Sequence, residues 1–398
     1  MKKKFVLISM LFVLCGCGNT SKEDIVKNFE DNMKSSKSYK MSGTMEIMND
    51  EESFTYNLES YYMKDEYYKV VLVNQTNNHE QIILKNENDV YVITPELNKS
   101  FKFQSEWPNN SSQAYLINSV LKDIKNDKEI KLIDDENSYV IKTKVNYPNN
   151  NELAYQKIYF DKKNNIEKVE VYNNNDIIKI KVLYDKVDYT ANLNKNDFDI
   201  SNYIDKEKDC DKTECEGNKN VEDEKNKTEK NEKPPITDES TENNESSPTE
   251  NEVQTKEEIQ KQENQNNQVD TNQETNSQTS SFNLDSIIYP LYIPGETYLT
   301  NSETLKTENG NRVILTFTGE KNFVIIEEMA QSEPTMKIIP VYGDPLMMSG
   351  AIGALTGNSL SWDSNNISYY LASTDLSTNE MLTIANSLGN ISMASKEK

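Results

Sequence analysis

The sequence predicts an α+β protein in which a long antiparallel sheet with two helices precedes an acidic linker and a second, smaller α+β domain. Three observations support this fold class. Apolar and polar side chains alternate along most of residues 39–187, two helical stripes interrupt that region, and no aromatic residue occurs between residues 204 and 281. A period of two is typical of strands with one buried face, whereas a spacing of three to four residues is typical of an amphipathic helix.

The first residues form a targeting segment. Residues 2–4 are lysines, and residues 5–14 form an apolar run too short to span a hydrocarbon core of about 30 Å as a helix. The segment ends in Leu14-Cys15-Gly16-Cys17, which resembles the lipobox of bacterial lipoproteins. The resemblance implies cleavage after residue 16 and a diacylglyceryl anchor on Cys17, at the extracytoplasmic face of the cell membrane. An ordinary secretory signal with an incidental Cys17 is the alternative.

Charge is distributed unevenly along the 398 residues. Residues 205–280 contain 22 acidic and 10 basic residues, a net charge of −12 out of −23 for the chain. Such a segment cannot bury enough apolar area to offset chain entropy, so we predict a disordered acidic linker over residues 205–281. An acidic protein repels nucleic acid, and we expect no nucleic-acid partner. Arg312 is the only arginine, a composition typical of low-GC Gram-positive bacteria.

The signal peptide and the anchor account for two of the four cysteines. Cys15 leaves with the signal peptide and Cys17 is acylated, so Cys210 and Cys215 remain in the mature chain. In an extracytoplasmic compartment this spacing is compatible with a small disulfide loop. A zinc site is disfavoured, because zinc takes about four nitrogen or sulfur ligands and the sole histidine, His79, is remote in sequence. We expect no metal and no cofactor.

The first domain is predicted element by element. Residues 21–24 form a capping box before a helix whose apolar face is Ile25, Phe29 and Met33. A second helix has the apolar stripe Leu116–Ile124, with Ser111 or Ser112 as its cap. The predicted strands occupy residues 39–47, 54–58, 68–72, 82–84, 90–93, 101–103, 139–145, 155–160, 166–172 and 177–184.

The second domain is expected to begin at residue 282. Residues 313–317 and 323–326 form one predicted hairpin, and residues 360–362 and 367–372 form another. Residues 336–341 add a strand to this domain. The apolar run 346–355 fits a strand or a docking loop, and we favour the strand. A capping box from Ser377 to Glu380 begins the last helix, which Gly389 ends.

Short motifs near the end of the first domain recur in a fixed order. Residues 158–163 are Ile-Tyr-Phe-Asp-Lys-Lys, residues 166–171 are Ile-Glu-Lys-Val-Glu-Val, residues 182–187 are Val-Leu-Tyr-Asp-Lys-Val, and residues 198–200 are Phe-Asp-Ile. This order resembles the carboxy-terminal half of the LolA family of lipoprotein carriers. The resemblance implies an open antiparallel half-barrel wrapped over helices, with an apolar hollow that receives acyl chains in the carriers. It also implies that the stripe Leu116–Ile124 fills or covers the hollow.

Residues 361–362, 367–373 and 380–388 carry a second resemblance. They are similar to a bacterial domain of unknown function that follows LolA-like domains in sporulation-associated lipoproteins. The two-domain order also resembles that of RseB and MucB, periplasmic proteins that restrain anti-sigma-factor cleavage. We therefore expect a signal peptide (residues 1–16), a LolA-like domain (17–204), the linker (205–281) and a C-terminal α+β domain (282–392).

The sequence favours a non-catalytic protein. Catalysis by Ser, His and Asp would need His79, which lies in a polar turn, is expected to be exposed and has no nucleophile elbow near it in sequence. The sequence has no phosphate-binding glycine loop and no metal motif, and no carboxylate pair stands out for glycoside cleavage.

Two functions remain open. One is a membrane-anchored lipoprotein that binds a protein partner, such as a cell-wall amidase or a signalling membrane protein, in envelope or spore-related processes. Similarity of the first domain to germination-related lipoproteins of Gram-positive spore formers favours this function. The other is a carrier-like sensor that binds an acyl chain or a lipoprotein tail in the hollow. Free volume inside the hollow would distinguish them, and the sequence assigns no ligand-binding residue.

Overall fold

The computed structural model describes residues 21–49, 53–87, 89–134, 137–204, 287–308 and 310–388. Cys17, Cys210, Cys215 and Gly389 lie outside these residues, as does nearly all of the predicted linker. The anchor, the disulfide and the disorder of the linker therefore stay predictions. The proposed domain boundaries at 204 and 282 adjoin or lie within the undescribed stretch and stay predictions as well.

The first part of the chain consists mainly of strands. Its elements are α1 (Lys22–Ser35), β1 (Ser38–Met48), β2 (Ser53–Met63), β3 (Tyr67–Asn74), β4 (Glu80–Lys85), β5 (Val90–Thr94), a 3-10 turn (Pro95–Leu97), β6 (Lys99–Phe103), α2 (Ile117–Asn126), β7 (Lys131–Asp134), β8 (Ser138–Lys144), β9 (Leu153–Asp161), β10 (Ile166–Asn173), β11 (Ile178–Asp188), a second 3-10 turn (Lys195–Phe198) and α3 (Ser201–Ile204).

The second part contributes eight strands and one helix among the described residues. Its elements are β12 (Thr297–Thr307), β13 (Gly310–Gly319), β14 (Phe323–Met329), β15 (Lys337–Val341), β16 (Asp344–Met347), β17 (Ile352–Leu355), β18 (Ser359–Ser364), β19 (Ile367–Ala372) and α4 (Thr378–Ser387).

A twelve-stranded sheet organises the first part. Its order is β15-β6-β5-β4-β3-β2-β1-β11-β10-β9-β8-β7, and all neighbours are antiparallel except β15 and β6. β1 pairs with β11 in the middle, where Met45 lies opposite Val182, so two successive meanders join there. The edge strands β15 and β7 do not pair with each other, so the sheet stays open. The predicted open antiparallel half-barrel over helices is confirmed.

Helices α1 and α2 pack against one face of this sheet, which we call the inner face. Ile25 and Phe29 of α1 and Val120 and Ile124 of α2 belong to one buried core with the inward side chains of the strands. The rings of Phe29 and Phe160 meet edge to face at 5.3 Å, a favoured geometry for aromatic pairs. The expectation that the stripe Leu116–Ile124 fills part of the hollow is confirmed, because its apolar side chains belong to this core.

The two helices begin differently. The predicted capping box of α1 is present, because the Ser21 hydroxyl accepts the Asp24 N–H at 3.2 Å and the Asp24 carboxylate accepts the Ser21 N–H. The predicted serine cap of α2 is wrong: Leu116 precedes the helix and no side chain caps it. Ser112 instead pairs with Asn146, whose N–H it accepts at 2.8 Å. That pairing holds the segment before α2 against the strand region after β8.

The outer face of β3 to β5 is also buried. Tyr67, Ile82, Leu84 and Ile93 pack there with Phe198, which belongs to the second 3-10 turn. The sequence did not predict this cover. Residues 193–203 show no apolar period, so only their position after β11 brings them to this face.

A seven-stranded antiparallel sheet, in the order β12-β13-β14-β19-β18-β17-β16, forms the body of the second part. The two predicted hairpins are confirmed, with Phe317 opposite Phe323 and Leu360 opposite Leu371. β12 was not predicted, because ten of its eleven residues are exposed and mostly polar. Helix α4 has its predicted capping box and packs Met381 on the sheet core.

Two expectations for the second part are wrong. The run 346–355 is two strands rather than one, because the Met348 N–H donates to the Ala351 carbonyl at 2.9 Å and closes a turn between β16 and β17. Residues 337–341 do form a strand, but β15 pairs in parallel with β6, placing Ile339 opposite Phe101. This strand therefore belongs to the large sheet and not to the second domain's own sheet.

Several contacts join the two parts into one compact unit. The Tyr56 hydroxyl donates to the Ser349 carbonyl at 2.8 Å, and the Ile352 N–H donates to the Gln81 side chain at 2.7 Å. Lys99 Nζ lies 2.9 Å from both carboxylate oxygens of Asp363, whose side chain is only 3% exposed. The second part is therefore packed directly against the first.

Candidate functional site

A cavity of about 460 Å³ opens between the inner face of the large sheet and the second part. Volumes of roughly 300–1,000 Å³ are typical of small-molecule sites. Ile47, Ile83 and Ile180 of the large sheet form one wall, and Met348 and Ile352 form the adjacent one. Ile47 and Ile83 are buried and belong to the same core as the apolar side chains of α1 and α2, so the cavity adjoins that core.

Two tyrosines, Tyr115 and Tyr147, are among the residues that line the cavity. Tyr115 lies just before α2, its hydroxyl contacts the Gln113 side chain, and both residues line the cavity together with Tyr147. Burial raises the pKa of Tyr115 and of Tyr147 above the ordinary value for tyrosine. These groups are therefore neutral hydrogen-bonding groups at any physiological pH.

Helix α4 closes the opposite side. Asn379, Leu382, Thr383 and Asn386 line the cavity, and their spacing of three and four residues places them on one face of the helix. The Asn386 side chain accepts the Ser349 N–H at 3.0 Å, and the Thr383 hydroxyl donates to the Asn379 carbonyl at 2.8 Å. This wall is polar except for Leu382, and its lining residues carry no charge.

A short segment before β12 forms part of the rim. Leu291 is 60% exposed and Tyr292 is 40% exposed, and both line the cavity. Their backbone N–H groups donate to the carbonyl and the hydroxyl of Ser387, at 3.4 and 3.2 Å. Exposed apolar side chains at the mouth of an apolar cavity are typical of a binding site.

The described lining contains two charged side chains, Glu152 and Lys179, of opposite sign. It contains no histidine and no cysteine. Across the residues that the structure describes, no group of three or more His, Cys, Asp or Glu side chains is arranged to hold a metal ion. The lining is therefore mostly apolar and neutral polar, with one residue of each charge.

His79 is not part of this site. The expectation that it is exposed is wrong, because its side chain is 12% exposed and its Nδ1 contacts the Glu96 carboxylate. The contact arises because the turn before β4 lies beside the 3-10 turn after β5.

Of the helices described here, none is long and apolar enough to cross a bilayer.

Sequence reasoning missed the cavity as a site. Its residues come from eight separate stretches between positions 47 and 387, and each one by itself looks like an ordinary core or loop residue. One signal was present in α4, whose outward positions 379, 383 and 386 are all uncharged. Charged side chains are common on the solvated face of a helix, so their absence there was a usable sign.

Comparison with known proteins identifies relatives. The family described as sporulation protein YdcC-like matches residues 1–198. The sporulation protein YdcC of Bacillus subtilis is 32% identical over 394 residues, which cover 97% of this chain and 97% of that protein.

Two solved structures show weaker likeness. The MucA/MucB complex of Pseudomonas aeruginosa matches 90% of this chain and 97% of its own chain, at 9% identity and a TM-score of 0.29. A LolA superfamily protein from Nitrosomonas europaea matches 46% of this chain and all of its own, at 12% identity and a TM-score of 0.27. The assignment of the chain depends on the Bacillus relative.

Proposed function

The chain belongs to the family of YdcC-like sporulation proteins, and from this premise we propose that it is a non-catalytic lipoprotein that binds an acyl chain in the cavity. The observation that carries the proposal is the cavity beside the inner face. Ile47 and Ile180 line this cavity and also adjoin the core that α1 and α2 form on the same face.

The size and lining of the cavity support an acyl chain. Burying methylene groups contributes about 0.8 kcal/mol each, so ten of them contribute about 8 kcal/mol before the cost of ordering the ligand. Leu382 and Met348 would contact the chain from the side opposite the sheet. The neutral hydroxyl and amide groups of Asn379, Thr383 and Asn386 on α4 would remain outside this apolar contact.

Anchoring on Cys17 completes the proposal. Cys17 lies five residues before the first residue of α1, so a diacylglyceryl group there would hold the folded part close to the outer surface of the membrane. A ligand with an acyl chain is abundant at that surface. The protein would sense or hold such a ligand rather than carry it through an aqueous space.

Native mass spectrometry of the mature protein extracted from its own membranes tests the proposal. One bound lipid per chain is expected, in addition to the covalent anchor. Thr383→Trp places a bulky ring at the mouth of the cavity from an exposed helix position and should abolish the bound mass. Thr304→Trp, at an exposed position of β12, should retain it. Wild-type protein without lipid would refute the proposal.

A second candidate function is protein binding at β12. This strand stands at the edge of its sheet, residues 298–307 are all exposed, and Tyr298 is 67% exposed. An exposed edge offers unpaired backbone groups for strand addition by a partner. A cell-wall amidase or a signalling membrane protein is the partner class proposed from the sequence. A photo-crosslinker at position 304 should then capture one protein of defined mass, and capture of none would exclude this edge.

A further inference from the structure

The cavity has two chemically different walls. The wall formed by the large sheet is aliphatic, with Ile47, Ile83 and Ile180. The wall formed by α4 presents Asn379, Thr383 and Asn386 together with one apolar side chain, Leu382. A ligand that satisfies both walls has an apolar chain on one side and a group that forms hydrogen bonds on the other.

The polar wall retains unused hydrogen-bonding capacity. The Asn386 side-chain oxygen accepts the Ser349 N–H, so its NH₂ group is the part that can donate to a ligand oxygen. The Thr383 hydroxyl donates to the Asn379 carbonyl, which leaves the oxygen lone pairs of Thr383 as acceptors. Hydroxyl, ester and amide groups match such a mixture of donors and acceptors.

The N-terminus of α4 would be the natural place for an anionic head group, because a helix N-terminus attracts negative charge. In this helix that position is already occupied. The Glu380 carboxylate accepts hydrogen bonds from both the N–H and the hydroxyl of Ser377, each at 2.7 Å. Burial alone would raise the pKa of Glu380, but the bonds from Ser377 and the charge of Lys321 together hold that pKa below its ordinary value.

The first turn of α4 therefore carries its own negative charge beside Asn379. A phosphate placed on this wall would find no Arg or Lys among the described lining residues of α4. The one lysine of the described lining, Lys179, belongs to β11 on the sheet side and already has an interaction partner. An ionised group taken out of water without a paired cation is strongly disfavoured, whereas a hydroxyl or an ester needs only hydrogen bonds.

Resting on the acyl-chain binding proposed above, we infer that the ligand is an uncharged acyl amphiphile of the acylglycerol type, with its chain on the sheet wall and its head on α4. Lipids with a phosphate head and free fatty acids should bind more weakly, because α4 offers their charge no cation. The selectivity belongs to the second part of the chain, while the apolar affinity belongs to the first.

Displacement of a fluorescent acyl probe from the mature full-length protein tests this inference. Monopalmitoylglycerol and palmitoyl-lysophosphatidylglycerol have the same chain and differ in the phosphate. The neutral lipid should displace the probe at a concentration at least about tenfold lower, the ratio that corresponds to 1.4 kcal/mol. Equal displacement, or stronger displacement by the phosphate lipid, would overturn the inference while leaving acyl-chain binding intact. Failure of the probe to bind at all would overturn both proposals.

A charge variant makes the test independent of the wild-type ratio. Thr383→Lys places a cation on the polar wall at an exposed position, so it should raise the relative affinity for the phosphate lipid by about tenfold. Thr304→Lys adds the same charge on β12, away from the cavity, and should leave the ratio unchanged. A shift of equal size in both variants would show a general charge effect and would refute a head-group site on α4.

Discussion

The two ends of the inner face of the large sheet differ in what covers them. At one end Phe29, Val120 and Ile124 form a continuous core with the strands. At the other end Ile47 and Ile180 adjoin the same core and also line the cavity that the second part of the chain closes. One sheet thus supplies stability at one end and a binding surface at the other, and the division is set by where α1 and α2 lie.

The largest expected effect is at the filled end. Phe29→Ala removes a fully buried ring that packs on Phe160 and should lower the free energy of unfolding by about 3–5 kcal/mol. Urea unfolding monitored by circular dichroism measures the loss. Lipid stoichiometry should be unchanged wherever the variant is folded. A loss below about 1 kcal/mol would contradict the assignment of this end as the main core.

The contact that joins the two parts should have the next largest effect. Lys99→Met leaves the Asp363 carboxylate buried without its cation, and removal of one partner of a buried pair costs about 3–5 kcal/mol. Thermal unfolding should show the loss, and lipid binding should weaken because the cavity wall detaches. Lys144→Met is the matched control, since Lys144 and Glu129 pair on the exposed surface. Equal behaviour of the two variants would mean that the buried pair does not hold the wall.

The stability of the second part should depend on pH because of one buried carboxyl group, that of Glu327. Glu327 is fully buried, and this burial raises its pKa to about 7. The hydrogen bond from the Ile288 N–H, at 3.1 Å, opposes the shift. Tyr369 is the titratable group beside Glu327. The folded state therefore holds this proton more tightly than the unfolded state, whose pKa is the ordinary 4.5. The stabilisation is complete below pH 4.5 and is lost as the pH rises through 7.

Glu327→Gln should remove that dependence. The variant keeps an acceptor for the Ile288 N–H and carries no charge. Its free energy of unfolding at pH 8 should therefore exceed that of the wild type by about 1–3 kcal/mol. Urea midpoints measured from pH 5 to pH 9 give the comparison. An unchanged slope between pH 5 and pH 8 would show that another group titrates there.

Removal of the two helix caps should have the smallest effect on stability. Ser21→Ala and Ser377→Ala each remove a helix cap and should cost about 1 kcal/mol. Only Ser377→Ala should also weaken lipid binding, because α4 lines the cavity and α1 does not. Calorimetry of both variants with monopalmitoylglycerol measures the difference. Equal weakening by the two caps would remove the distinction between the ends of the sheet.

Local chemistry explains which elements the sequence predicted. The boxes at Ser21 and Ser377 and the hairpin that pairs Phe317 with Phe323 depend on residues close together in the chain, so their patterns are sufficient. The serine cap of α2 failed for a related reason. Ser112 has the right chemistry for a cap, but pairing with Asn146 offers it a better partner that is distant in sequence.

Pairing between segments that are distant in sequence explains why the placement of β15 and the cavity were not predicted. Residues 337–341 have an ordinary strand pattern, yet nothing in them specifies β6 as the neighbour. The cavity depends on that pairing and on the contacts of Gln81 and Tyr56 with the second part. The resemblance of the first domain indicated a hollow, but how far helices fill it depends on where α2 begins.

An experimental structure of the mature protein purified from its own membranes tests the central claim most directly. The account predicts density for a single acyl chain between Ile180 and Leu382, with its head beside Thr383. Density for lipid at any other surface, or side chains of the protein filling the space between Ile180 and Leu382, would contradict it.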